Sequence, residues 1–256
     1  IKLAEATPVI VRSQPENGFA LTADTLLAAV TPRTRGMILN SPDNPTGAVI
    51  AEAELETVAK EAARRGIWIL MDLCYDKLIY DPVPHNLIGV LARHNRDRSV
   101  LCGSASKVYA MTGWRVGYAL APTEWTKAML KVQGHSTSNT NSMAQWAAVE
   151  ALTGPQESVG IMLSEYTARR AWLLDALREI PGFKCSDPEG AFYAFPDVRG
   201  CLKKDLRTSG DFAQRLLEEE HTVVTDGAGF GAEGFIRISY ATSMERIQEG
   251  IERIKR

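Results

Sequence analysis

Residues 104–118, SASKVYAMTGWRVGY, place one lysine, Lys107, after the serines Ser104 and Ser106 and ahead of an arginine, Arg115, in a run otherwise made of small, aromatic and apolar residues. A lysine amine kept partly from water beside other cations is a nucleophile for carbonyl carbon and forms Schiff bases. Three other stretches carry groups that suit such chemistry. NSPDNPTG (40–47) holds the amide of Asn44, DLCY (72–75) holds the carboxylate of Asp72 and the phenol of Tyr75, and GFIRISYA (234–241) sets Arg237 in an apolar run. The four cysteines, Cys74, Cys102, Cys185 and Cys201, are far apart with no CxxC or His–Cys cluster. They read as reduced thiols of a cytoplasmic protein, with neither a metal site nor a disulfide framework. The histidines are isolated and receive no role.

The elements that must position these groups follow from periodicity. RGMILN (35–40) is a short apolar run, followed by a Pro/Asn/Gly turn and then by AEAELETVAKEAARRG, whose helical spacing stops at Gly66. IWILMD (67–72) and SVLCGS (99–104) are further buried strands. Apolar strands alternating with helices predict an α/β fold, a mostly parallel sheet flanked by helices. Helical patterns follow at 123–133, at 142–154 and from about 155 to 179. Beyond PGF (181–183) the pattern becomes AFYAFPDV, a helix near 210–220, HTVVTDGAGFG, GFIRISYA and a closing helix SMERIQEGIERIKR, which predicts a small C-terminal α+β domain. The predicted division is 1–164 for a large domain and 165–256 for the small one.

Each of the three strands ends in distinctive polar residues: Asn44 follows the first, Asp72 closes the second, and Ser104, Ser106 and Lys107 close and follow the third. Ligands of open parallel sheets bind beyond the carboxyl ends of the strands, where the loops converge. Taken singly, NPTG is a turn, Asp72 a helix cap, Tyr75 a core residue, Arg237 an edge-strand charge and Lys107 a surface lysine. Their order along successive strand ends is what makes them a set.

Composition excludes several classes of partner. The 256 residues carry a net charge of −2 with acids and bases interspersed, so no basic stripe points to nucleic acid or a membrane surface. No apolar run approaches a membrane span and no signal peptide is evident. The expected partner is a small molecule.

NPTG, DLCY, SASK with GWRVGY, and RIS, in this order, resemble the fold type I, class I/II aminotransferases that use pyridoxal 5'-phosphate. The resemblance covers essentially the whole chain and implies a role for each matched residue. Lys107 would hold the cofactor through a Schiff base and move the substrate's Cα proton. Asp72 would keep the pyridine nitrogen protonated. Asn44 and Tyr75 would hydrogen-bond the cofactor's phenolic oxygen, and Ser104, Ser106 and Arg115 would bind its phosphate. Arg237, with Asn44, would take the substrate's α-carboxylate. The resemblance implies a homodimer acting on an amino acid and a 2-oxo acid. Segments ending QGHSTSNTNSMAQWAAVEAL and SYATSMERIQEGIERI are closer to the bacterial aspartate or aromatic branch.

The same resemblance places a phosphate cup at a helix N-terminus, and an aromatic ring stacked on the pyridine, upstream of residue 1. The expectation is therefore a family member lacking its N-terminal third, with apolar faces left exposed. A partner-subunit arginine of one branch would fall near 135–142, where the sequence HSTSNTNS has none. Two other readings stay open: a lyase reaction on the same scaffold, such as β-elimination from a cysteine-type substrate, and a non-catalytic, aminotransferase-like effector domain of a transcription regulator.

Overall fold

The computed structural model describes residues 1–80, 83–203 and 205–256. They group into two compact units: residues 1–41, 49–76 and 84–154 form the first, and 42–48, 77–83 and 155–256 the second.

In the first unit a short helix α1 (Ala23–Ala28) precedes strand β1 (Gly36–Asn40), helix α2 (Glu52–Arg65), β2 (Trp68–Asp72), α3 (Leu87–His94), β3 (Ser99–Ser104), a single turn α4 (Ala105–Val108), β4 (Gly117–Leu120), α5 (Thr123–Ser136) and α6 (Ser142–Thr153). The sheet order is β1-β2-β3-β4. The first three strands are parallel, and β4 runs antiparallel to β3 along the edge.

Spacing explains α2. Leu55, Val58, Ala59 and Ala62 recur at helical intervals, are fully buried, and join Ile69 and Met71 of β2 in one core. Burying a side chain the size of Leu55 or Val58 contributes about 1.5–3 kcal/mol. The opposite face is solvated and carries the ion pair Lys60–Glu56. Gly66 ends the helix in the left-handed region at φ 69°, its N–H reaching the carbonyls of Ala62 and Ala63. On α6, by contrast, Met143 and Trp146 are 70% and 75% exposed, and all four residues of β4 are exposed.

The second unit contains α7 (Glu157–Arg178), β5 (Tyr193–Ala194), α8 (Ser209–Glu220), β6 (Thr225–Asp226), β7 (Ile236–Ser239) and α9 (Met244–Ile254). Its small antiparallel sheet has the order β5-β7-β6. Thr208 and Asp211 form a reciprocal capping box at the start of α8. A buried hydroxyl pair, Tyr80 to Tyr240 at 2.9 Å, ties Tyr80 into this unit, and Tyr80 also donates to the Ala191 carbonyl at 2.7 Å. No described helix is long and apolar enough to cross a membrane.

Candidate active site

In the first unit the predicted residues gather at the carboxyl ends of β2 and β3. Asp72 is the last residue of β2, in register with Asn40 of β1 and Cys102 of β3. Its Oδ1 accepts a 3.0 Å hydrogen bond from the Cys74 N–H, which fixes the carboxylate. Ser104 ends β3 and caps α4, its Oγ accepting from the Ser106 N–H at 3.1 Å. Lys107 lies on α4, seated by the buried side chains of Ala105 and Val108.

A residue not assigned from the sequence reports how closely these groups meet. Burial pushes the Cys74 thiol up, the Asp72 carboxylate adds to that, and a hydrogen bond with Ser104 and the Lys107 charge oppose it. Asp72, Ser104 and Lys107 therefore all act on one thiol. Cys74 lies inside the DLCY stretch, and only its neighbours' chemistry drew attention to that stretch. Tyr75, next in sequence, is buried at 4% exposure.

The backbone around Lys107 is held under constraint. Ala110 and Arg115 both sit in the left-handed region at φ 53°, which costs non-glycine residues energy. Arg115 is exposed, and its Nη1 donates to the Thr112 carbonyl at 2.9 Å. It lines an open cleft of about 650 Å³ with Trp114, Thr137, Asn141 and Met143. Neither Lys107 nor Asp72 lines that cleft. On β3, a Cβ at Gly103 would stand 2.3 Å from the Tyr118 ring of β4, which would have to move aside.

In the second unit two predicted residues, 193 positions apart, come together: Arg237 Nη1 donates to Asn44 Oδ1 at 2.7 Å. The turn carrying Asn44 is built locally. Thr46 donates through its hydroxyl to Asp43 Oδ2 at 2.7 Å, and the Asp43 and Gly47 N–H groups donate to the carbonyls of Ala48 and Asp43, both at 2.9 Å. Gly47 has φ 72°, and a Cβ there would lie 2.3 Å from Pro188. Arg237 Nη2 also donates to Thr225 Oγ1 at 3.3 Å, whereas its buried Nε has no partner among the described residues. A buried donor left unsatisfied costs roughly 1–3 kcal/mol. Thr225 is in register with Arg237 on the adjacent strand, a pairing that no sequence pattern announced.

All four cysteines are unpaired, and no group of three or more metal-ligating residues occurs among the described residues.

The model of the class I and II aminotransferases matches residues 1–254. Aspartate aminotransferase of Geobacillus stearothermophilus is 41% identical over 257 residues, covering 100% of this chain and 65% of that protein. Aspartate/prephenate aminotransferase of Cereibacter sphaeroides is 42% identical over 262 residues, covering 100% and 66%. Among solved structures, the aspartate aminotransferase of Rhizobium meliloti superposes with a TM-score of 0.92 at 40% identity, over 99% of this chain and 65% of that one. The aromatic aminotransferase of Pyrococcus horikoshii gives 0.88 at 36% identity, over 97% and 66%. The chain thus spans about 65% of the length of the curated relatives it matches. With the lysine and aspartate on adjacent strand ends and a family match that runs through both units, the chain belongs to the class I and II aminotransferases.

Proposed function

We propose that the protein transfers an amino group from an L-amino acid to a 2-oxo acid, using pyridoxal 5'-phosphate. The observation that carries this reading is that Asp72 and Ser104 end the adjacent parallel strands β2 and β3, with Lys107 on the turn of helix that Ser104 caps. The donor set suits the cofactor: an amine for its aldehyde carbon, a carboxylate for its ring nitrogen, and the hydroxyls of Ser104 and Ser106 with the Arg115 guanidinium for its phosphate. When bound, pyridoxal phosphate supplies the carbonyl carbon and an electron sink. The residues of the chain do the rest. Asp72, held by the Cys74 N–H, would keep a proton on the ring nitrogen by its negative charge. Lys107 Nζ would hold the cofactor through its aldehyde carbon, and the same amine would move the substrate's Cα proton. Tyr75 and Asn44 would supply hydrogen bonds to the phenolic oxygen. Arg237, planar and doubly hydrogen-bonded, orients the α-carboxylate and so the Cα–H bond.

An aspartate- or aromatic-type substrate is supported by relatives named aspartate, aspartate/prephenate and aromatic aminotransferases. A cytoplasmic homodimer, divided into domains 1–164 and 165–256, completes the proposal. Its test is to incubate the full-length protein with pyridoxal phosphate, L-aspartate and 2-oxoglutarate and to follow oxaloacetate. In parallel, borohydride reduction should fix the cofactor to the peptide carrying Lys107. Label on Lys127 or Lys131 would overturn the lysine assignment. Release of pyruvate from L-cysteine without amino transfer would replace transamination by β-elimination.

A further inference from the structure

We propose that Phe230 and Tyr193 are positioning residues for the substrate carboxylate, acting through the plane of the Arg237 guanidinium. The inference rests on the reading of Arg237 as carboxylate ligand and extends it to two side chains that reading does not use. The Arg237 guanidinium carbon lies over both rings, 4.5 Å from the Tyr193 centroid and 5.1 Å from that of Phe230. Hydrogen bonds to Asn44 and Thr225 hold one proton on each terminal nitrogen. Those two bonds pin the tip of a long side chain, whereas the aromatic faces restrict rotation of its plane. The plane matters because a carboxylate binds a guanidinium through two parallel, in-plane hydrogen bonds. Each terminal nitrogen keeps one further proton for an incoming carboxylate.

The rings are themselves fixed. Tyr193 lies on β5, paired with the same strand β7 that carries Arg237. Phe230 stands edge-on to Phe195 at 6.1 Å and 89°, and Phe195 stacks on Phe235 at 5.2 Å and 18°. A face aligned in this way costs nothing to reorganise when the substrate arrives. Phe230 is also 38% exposed, so its replacement tests position without opening a core.

The experiment uses the full-length protein with pyridoxal phosphate, with L-aspartate and its α-amide as probes. Phe230→Leu should raise KM for L-aspartate about fivefold to tenfold, the scale of a partly desolvated cation–π contact. It should leave kcat within about twofold, the cofactor's absorption spectrum unchanged, and the melting temperature close to the parent's. Preference for L-aspartate over the α-amide should fall by the same factor. Phe230→Tyr and Tyr193→Phe, which keep an aromatic face, should behave like the parent. An unchanged KM in Phe230→Leu, with Arg237→Lys impaired, overturns the inference. So do equal losses in Phe230→Leu and Phe230→Tyr, or a fall in kcat and melting temperature together. If Arg237→Lys itself is unimpaired, the carboxylate assignment of Arg237 fails instead.

Discussion

Acidification should weaken the fold through His85, and the size of the effect follows from where that ring sits. His85 lies in the first unit with both ring nitrogens buried and unpartnered among the described residues. Burial pulls its pKa from the ordinary 6.5 down to about 4, against a weaker upward pull from Glu52. In the unfolded chain the imidazole takes a proton below about 6.5, whereas in the folded chain it does so only near 4. Between those values the unfolded state binds more protons, so stability falls as pH drops through this window and levels off beneath it. At about 1.4 kcal/mol per pH unit the whole interval amounts to roughly 3 kcal/mol. The ring keeps some contact with solvent, which screens its charge, so we expect a loss of about 2 kcal/mol. Urea unfolding at half-unit steps from pH 7.5 to 4, on the parent and on His85→Phe, isolates this contribution, because every other titrating group is common to both. The comparison is of slopes against pH, which a constant change in stability does not alter. Parallel curves for the two proteins would refute the reasoning.

Asp72→Ala should cost about 3–4 kcal/mol in the barrier for amino transfer, the scale for losing a preorganised charge, while phosphate contacts preserve some cofactor binding. Stopped-flow measurement of Cα proton abstraction checks this, with Asp76→Ala as the control expected to stay within tenfold of the parent. Arg237→Lys should lower kcat/KM by roughly 30-fold or more, since an ammonium cannot make paired in-plane bonds to a carboxylate; steady-state kinetics with L-aspartate reads the effect. Gly47→Ala should lose about 2 kcal/mol or more of stability in thermal or urea unfolding, because the new Cβ meets Pro188 at 2.3 Å from a backbone at φ 72°.

Much of the first unit is legible locally. The helical recurrence of Leu55, Val58, Ala59 and Ala62, stopped by Gly66, yields α2, and apolar runs ending in Asn40, Asp72 and Ser104 yield three strands in the observed places. Apolar spacing reports which face will be buried, and a glycine or a capping serine reports where an element must stop. Strand β4 escaped this reading because all four of its residues are exposed and show no alternation. Strands β5 and β6, two residues each, are too short to carry a period at all.

Sequence alone determined which groups are available for chemistry and which strand ends deliver them: Asp72 after β2, Ser104 and Lys107 after β3. Tertiary structure alone decided their company. Residues 42–48 join the second unit through hydrogen bonds from the Glu189 and Gly190 N–H groups to the Gly47 carbonyl, at 2.9 and 2.8 Å. Arg237 acquires Asn44 and Thr225 as acceptors and the rings of Tyr193 and Phe230 as walls. Those partners lie between 7 and 193 residues away in the chain. Local periodicity senses only neighbours within a turn or a strand, while a planar cation is oriented by whatever the packed chain brings to its edges and faces.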